Sequence, residues 1–149
     1  MTGAETGPIL VAVDFSPSAE AAFRWAAGAA RAFGAPLIVL HVVHDPEGAP
    51  GAYQGPDQAL QPLEQSARRM LDEFMQRTAP LRAGVHAADE LVVGLPATRI
   101  LEVADRENAR LIVMGSRGRT GLKRILLGSK AERVVQLSPI PVTIVKAEE

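Results

Sequence analysis

Three short runs, "PILVAVD" (8–14), "PLIVLHVV" (36–43) and "RLIVMG" (110–115), are apolar at consecutive positions rather than at every second one. A strand with one wet face alternates. A strand apolar on both faces belongs inside a sheet that is covered from both sides. The covering layers are encoded between the runs. Ser16 can cap a helix, Pro17 suits its first position, an Ala-rich stretch continues it and Gly34 closes it. In 59–79, Leu60, Leu63, Ala67, Met70, Leu71 and Phe74 recur at three and four residues and draw one apolar stripe. Pro96 opens a helix carrying Ile100, Leu101, Val103 and Ala104, and 129–137 supplies the last, ended by Ser138-Pro139. "VHAADELVV" (85–93) mixes polar and apolar positions, as an edge or half-covered strand does, and "PVTIVK" (141–146) is short and late. Five strands with four intervening helices predict an α/β fold: an open parallel sheet with right-handed crossovers and helices on both faces, Rossmann-like.

Length and charge narrow the function classes. The 149 residues suit a single domain, 1–149, and 47% apolar with 22% charged residues is ordinary globular composition. A net charge of −1 offers no global field for nucleic acid or an anionic membrane, so any electrostatic attraction is local. Cysteine is absent, which removes disulfides and thiol chemistry. "MTGAETG" at the start lacks a leader's basic and apolar regions, and no segment reaches the ~18 consecutive apolar residues of a membrane span. The expectation is a cytoplasmic protein. One stretch, "HDPEGAPGAYQGPDQALQP" (44–62), is thick with Gly and Pro; it is read as a flexible loop and candidate lid.

The chemistry concentrates in "GSRGRTGLKRILLGSKAERVV" (115–135). In doubly wound folds the ligand crevice lies at the carboxyl ends of the strands, so Asp14 and Gly115 face one crevice if their strands are neighbours. Gly115 and Gly118 lack a Cβ, which permits positive φ and a close approach of main chain to ligand. Consecutive exposed N–H groups in such a turn form an anion-binding concavity. Gly128 and Ser129 begin a helix whose free N–H groups and dipole also favour an anion. Arg117, Arg119, Lys123 and Arg124 add positive charge nearby. The pattern is neither the P-loop nor the GxGxxG dinucleotide fingerprint.

Each of these residues also has a plainer reading. Ser129 and Glu132 can form a capping box that satisfies the helix's own donors, and Glu132 would repel phosphate unless a divalent cation intervened. Asp14 can serve only an Asx-turn into the Ser16 cap. His41 and His44 point to opposite sides of a strand, which disfavours a shared metal or a catalytic pair. Phe23 and Trp25 read as core, Arg68 and Arg69 as a solvated helix face, and Tyr53 as either exposed or stacked on a base.

The motif Gly115-x2-Gly118-x9-Gly128-Ser129, with "VAVDFSPSAEAA", "LHVV" and "SPIPVTIVK", resembles the ATP-binding signature of the universal stress protein family over essentially the whole chain. What the resemblance implies is the strand order 3-2-1-4-5 and a homodimer formed through the last strand, 141–146. It also implies that Gly115, Gly118, Gly128 and Ser129 meet phosphates, with Arg119 and Lys130 beside them. Asp14 would lie by the ribose and a nucleotide-bound Mg2+, the Val42 main chain would meet adenine, and Ala12 and Met114 would line the pocket. Lys130 departs from the small or β-branched residue that relatives often carry there.

The function expected is a nucleotide-responsive stress or regulatory module that binds ATP, or alternatively AMP or cyclic AMP, and acts on an unknown protein partner. No nucleophile–base pair or paired carboxylates stand out, so at most slow ATP hydrolysis is expected. A scaffolding protein that binds no nucleotide is the remaining alternative.

Overall fold

The computed structural model describes residues 6–45, 56–117 and 127–147, with the main chain alone at 56–61. In chain order the elements are β1 (Ile9–Ala12), α1 (Pro17–Phe33), β2 (Leu37–His44), α2 (Pro56–Arg77), a 3-10 turn at Ala79–Arg82, β3 (Ala87–Gly94), α3 (Pro96–Arg106), β4 (Leu111–Gly115), α4 (Ser129–Leu137) and β5 (Val142–Val145). The five strands form one parallel sheet in the order β3-β2-β1-β4-β5. The doubly apolar runs are indeed its three central strands.

Strand alternation sorts the core into two layers. Odd-numbered Ile9, Val11, Val39 and Val113 pack with Phe23, Leu71 and Phe74 under α1 and α2. Even-numbered Leu10, Leu40, Ile112 and Met114 pack with Ile100, Val103 and Val134 under α3 and α4. Full burial of each large side chain contributes roughly 1.5–3 kcal/mol. In the first layer Phe23 and Phe74 meet edge to face at 5.2 Å.

The helix boundaries follow local chemistry. Ser16 caps α1, its side chain accepting from the Ala19 N–H, and Gly34 ends it in the left-handed conformation at φ 65°. α2 starts at Pro56, so the last part of the 44–62 stretch is helical, with Pro62 inside the helix, while 46–55 lie outside the described residues. Trp25 was expected in the core but is 43% exposed, because it falls on the outer face of α1 whereas Phe23 falls on the inner one. Arg68 is not a merely solvated residue. It bonds Asp72 on its own helix and Asp89 on β3.

Candidate functional site

The strands end in a cleft of about 230 Å³. Ala12, Leu40, Val42 and Met114, from the carboxyl ends of β1, β2 and β4, give it an apolar floor. Pro96 and Ile100 of α3 form one wall, and Ser129 and Lys130 of α4 form another. Val13, Asp14, Ala19, His41, Gly115 and Arg117 complete the lining. An apolar slot bordered by a few polar groups is the usual form of a small-molecule site.

The turn after β1 is tightly specified. Asp14 Oδ1 accepts from the Ser16 N–H at 3.1 Å, so the Asx-turn forms and Asp14 lines the cleft as well. Ser16 Oγ accepts from the Ala19 N–H at 3.2 Å. Between them Phe15 adopts φ 67°, a conformation uncommon for a bulky residue. Its ring packs 4.5 Å from His41 and 5.9 Å from Phe74.

β4 ends differently. Gly115 does not use the positive φ that glycine permits. A Cβ there would meet Ser18 Cβ at 2.6 Å and the Ser18 carbonyl carbon at 2.7 Å. Glycine is therefore required by the first turn of α1, which packs directly on the strand end. Ser116, 2% exposed, then joins two segments. Its N–H donates to Val145 O at 2.9 Å and its carbonyl accepts from the Gly128 N–H at 2.6 Å, so the two ends of the glycine loop meet beside β5.

At α4 the expected capping box is absent. Gly128, not Ser129, is the N-cap residue, and no side chain caps the helix. Ser129 is already the first helical residue, so Glu132 lies one position too far along to reach back. Glu132 is exposed and outside the cleft lining, whereas Ser129 and Lys130 border it. The helix start thus presents N–H groups with no side-chain cap, together with a lysine, at the cleft wall.

Similarity to known proteins accords with this arrangement. The model of the universal stress protein family matches residues 5–146. The chain belongs to the universal stress protein family. It is 37% identical to a universal stress protein of Thermus aquaticus over 93% of this chain and 97% of that one. It is 30% identical to universal stress protein MJ0577 of Methanocaldococcus jannaschii over 93% of both chains, and the solved MJ0577 structure matches with a TM-score of 0.78 over 97% of this chain and 99% of that one. A universal stress protein of Archaeoglobus fulgidus, solved in complex with dAMP, matches with a TM-score of 0.67, at 29% identity, over 94% of this chain and 98% of that one.

In this universal stress protein the cleft brings together Ala12, Asp14, Val42, Met114, Gly115, Ser129 and Lys130 of the residues singled out in the sequence. Gly128 is not one of the lining residues; it precedes Ser129 in the chain and its N–H donates to Ser116 O. Gly118 and Arg119 lie outside the described residues, as does Tyr53. The sequence reading missed Val13, Ala19, Leu40, His41, Pro96 and Ile100 as lining residues. Pro96 and Ile100 come from a helix that only the strand order carries to this end of the sheet. His41 did leave a signal: it is the polar residue in a run otherwise apolar on both faces.

Proposed function

We propose that this universal stress protein binds an adenine nucleotide in the cleft, ATP with Mg2+, and acts as a regulatory module rather than an efficient enzyme. The observation that carries the reading is the start of α4, a helix N-terminus without a side-chain cap that borders an apolar slot at the strand ends. Such a terminus favours phosphate through its amides and its dipole. The Archaeoglobus relative in complex with dAMP supports an adenine nucleoside as the remainder of the ligand. Arg117, Arg119, Lys123, Arg124 and Lys130 favour a triphosphate over a monophosphate.

Asp14 is the residue for the cation. Among the described residues no group of three His, Cys, Asp or Glu side chains could hold a metal unaided. One carboxylate with phosphate oxygens and water is a usual Mg2+ set, so the ion would arrive with the nucleotide. No nucleophile–base pair stands out in the sequence, and turnover is expected to be slow.

The two sheet edges support a homodimer through β5. Asp89 and Glu90 give β3 a charged edge, held by Arg68 of α2 on one face and Arg106 of α3 on the other. β5 reads Val-Thr-Ile-Val, is half-buried throughout and lies in a chain whose α4 exposes Val135 and Leu137. An uncharged edge of this kind needs a partner, and a second copy supplies one by two-fold pairing. The reading places the dimer in the cytoplasm, acting on a protein partner. Equilibrium dialysis with ATP and Mg2+ tests it. Retention is expected, and loss of retention in a folded Gly118→Val variant; no retention by the parent chain at millimolar nucleotide would overturn it.

A further inference from the structure

The hydrogen-bond parity of β2 points to a role for His41. Even-numbered residues there face β1: Ile9 N–H donates to Pro36 O at 2.9 Å and Val13 N–H to Leu40 O at 2.8 Å. Odd-numbered ones face β3, as in the bonds from Leu37 N–H to His86 O and from Asp45 N–H to Gly94 O. In a regular parallel ladder the next bond towards β1 runs from Val42 N–H to Val13 O. Among the described residues that main-chain bond is not formed. Val13 O lies instead 2.7 Å from His41 Nδ1. A carbonyl can only accept, so Nδ1 carries the proton and donates it.

Val42 therefore turns its main-chain N–H and C=O towards the position that β1 vacates beyond Val13, and Val42 lines the cleft. His41 is well placed to hold this arrangement. It is 9% exposed, and its ring lies 4.5 Å from that of Phe15, which is packed in turn on Phe74. The left-handed conformation of Phe15 costs roughly 1–2 kcal/mol, which packing on these two rings offsets.

We propose that His41 is a positioning residue for the base of the nucleotide: by occupying the Val13 carbonyl it stops the ladder one bond early and keeps the Val42 main chain available as a donor–acceptor pair. The inference rests on the nucleotide reading above. The pair matches adenine, whose amino group donates and whose neighbouring ring nitrogen accepts. Guanine presents the reverse order on the same edge, an accepting oxygen beside a donating ring N–H, and is disfavoured.

The test uses the full-length protein, with ATP and inorganic tripolyphosphate as probes. In His41→Phe the Val13 carbonyl loses its donor and takes the Val42 N–H, closing the base site. ATP affinity should fall roughly tenfold, with tripolyphosphate affinity held within about twofold. His41→Asn, whose amide reaches the Nδ1 position, should bind ATP like the parent chain. Should His41→Phe not fold, His41→Gln, with its amide at the other ring nitrogen, gives the same comparison. ATP affinity that is unchanged, or that falls no further than tripolyphosphate affinity, overturns the inference. A parent chain that binds neither probe defeats the nucleotide reading and leaves His41 to a second measurement. Without ligand, hydrogen exchange at the Val42 amide should be fast in the parent and slowed in His41→Phe; equal exchange in the two overturns the role of His41.

Discussion

Helices α1 and α4 both begin beside the cleft, yet the chain closes the first start and leaves the second open. α1 carries its own cap, Ser16, and its first turn is pressed onto Gly115 with no room for a Cβ. α4 follows a glycine, has no side-chain cap and exposes Ser129 and Lys130 at the cleft wall. A lysine in the first turn of a helix is electrostatically unfavourable in the absence of an anion. The difference teaches a division of labour. One helix start is committed to the fold, and the other is the one that the proposed function assigns to a ligand.

Substitutions on the two sides should therefore separate stability from binding. Gly115→Ala has the largest expected effect. The new methyl meets main chain as well as side chain, so unfolding by urea should show a loss of about 2–3 kcal/mol. Lys130→Glu acts on the open start with opposite signs. ATP affinity measured by calorimetry should fall roughly tenfold, while stability rises by a few tenths of a kcal/mol because a first-turn carboxylate suits the dipole.

Ser16→Ala removes the α1 cap and should cost about 1 kcal/mol of stability, with ATP affinity unchanged. Its failure to discriminate, by weakening ATP as strongly as Lys130→Glu, would break the contrast. Gly128→Ser is the smallest and sharpest test. Gly128 has φ −66°, which any residue adopts, so a serine can cap α4 there. Stability should gain a few tenths of a kcal/mol, and ATP should bind roughly threefold more weakly because the cap competes with phosphate.

Features governed by neighbours in sequence were legible in the chain, and those governed by neighbours in space were not. Ser16, Pro17 and Gly34 marked α1 to the residue, because a cap and a left-handed terminus depend on a few adjacent positions. The doubly apolar runs marked the three central strands for the same reason. Trp25 was misread because helical periodicity shows that a helix has faces but not which of two neighbouring aromatic residues turns inward. The stretch 44–62 read as a loop, yet α2 begins at Pro56 and runs through Pro62, which near the start of a long helix removes only one internal bond. At α4 the Ser129–Glu132 spacing satisfied the capping-box rule, but the helix begins one residue earlier than that rule requires, with Gly128 as its N-cap.

Of the cleft lining, Ala12, Asp14, Val42, Met114, Gly115, Ser129 and Lys130 were already named from the glycine signature and the resemblance. Its other lining residues depend on strand order. Gly115 is the instructive case: the residue was singled out for closeness to a ligand, whereas the contact that demands glycine is with Ser18. His41 could be noticed as a polar interruption, but its bond to Val13 exists only in the register of two strands.

The division between the two helix starts is tested most directly by amide spectra of the isotopically labelled protein recorded while ATP and Mg2+ are added. The amides of Ser129 and Lys130 should move downfield and saturate together, as new bonds to phosphate require, while the Ala19 amide, already bonded to Ser16, should show no such shift. A downfield shift at Ala19 equal to theirs, or no shift at Ser129 and Lys130 at saturating nucleotide, would contradict the account.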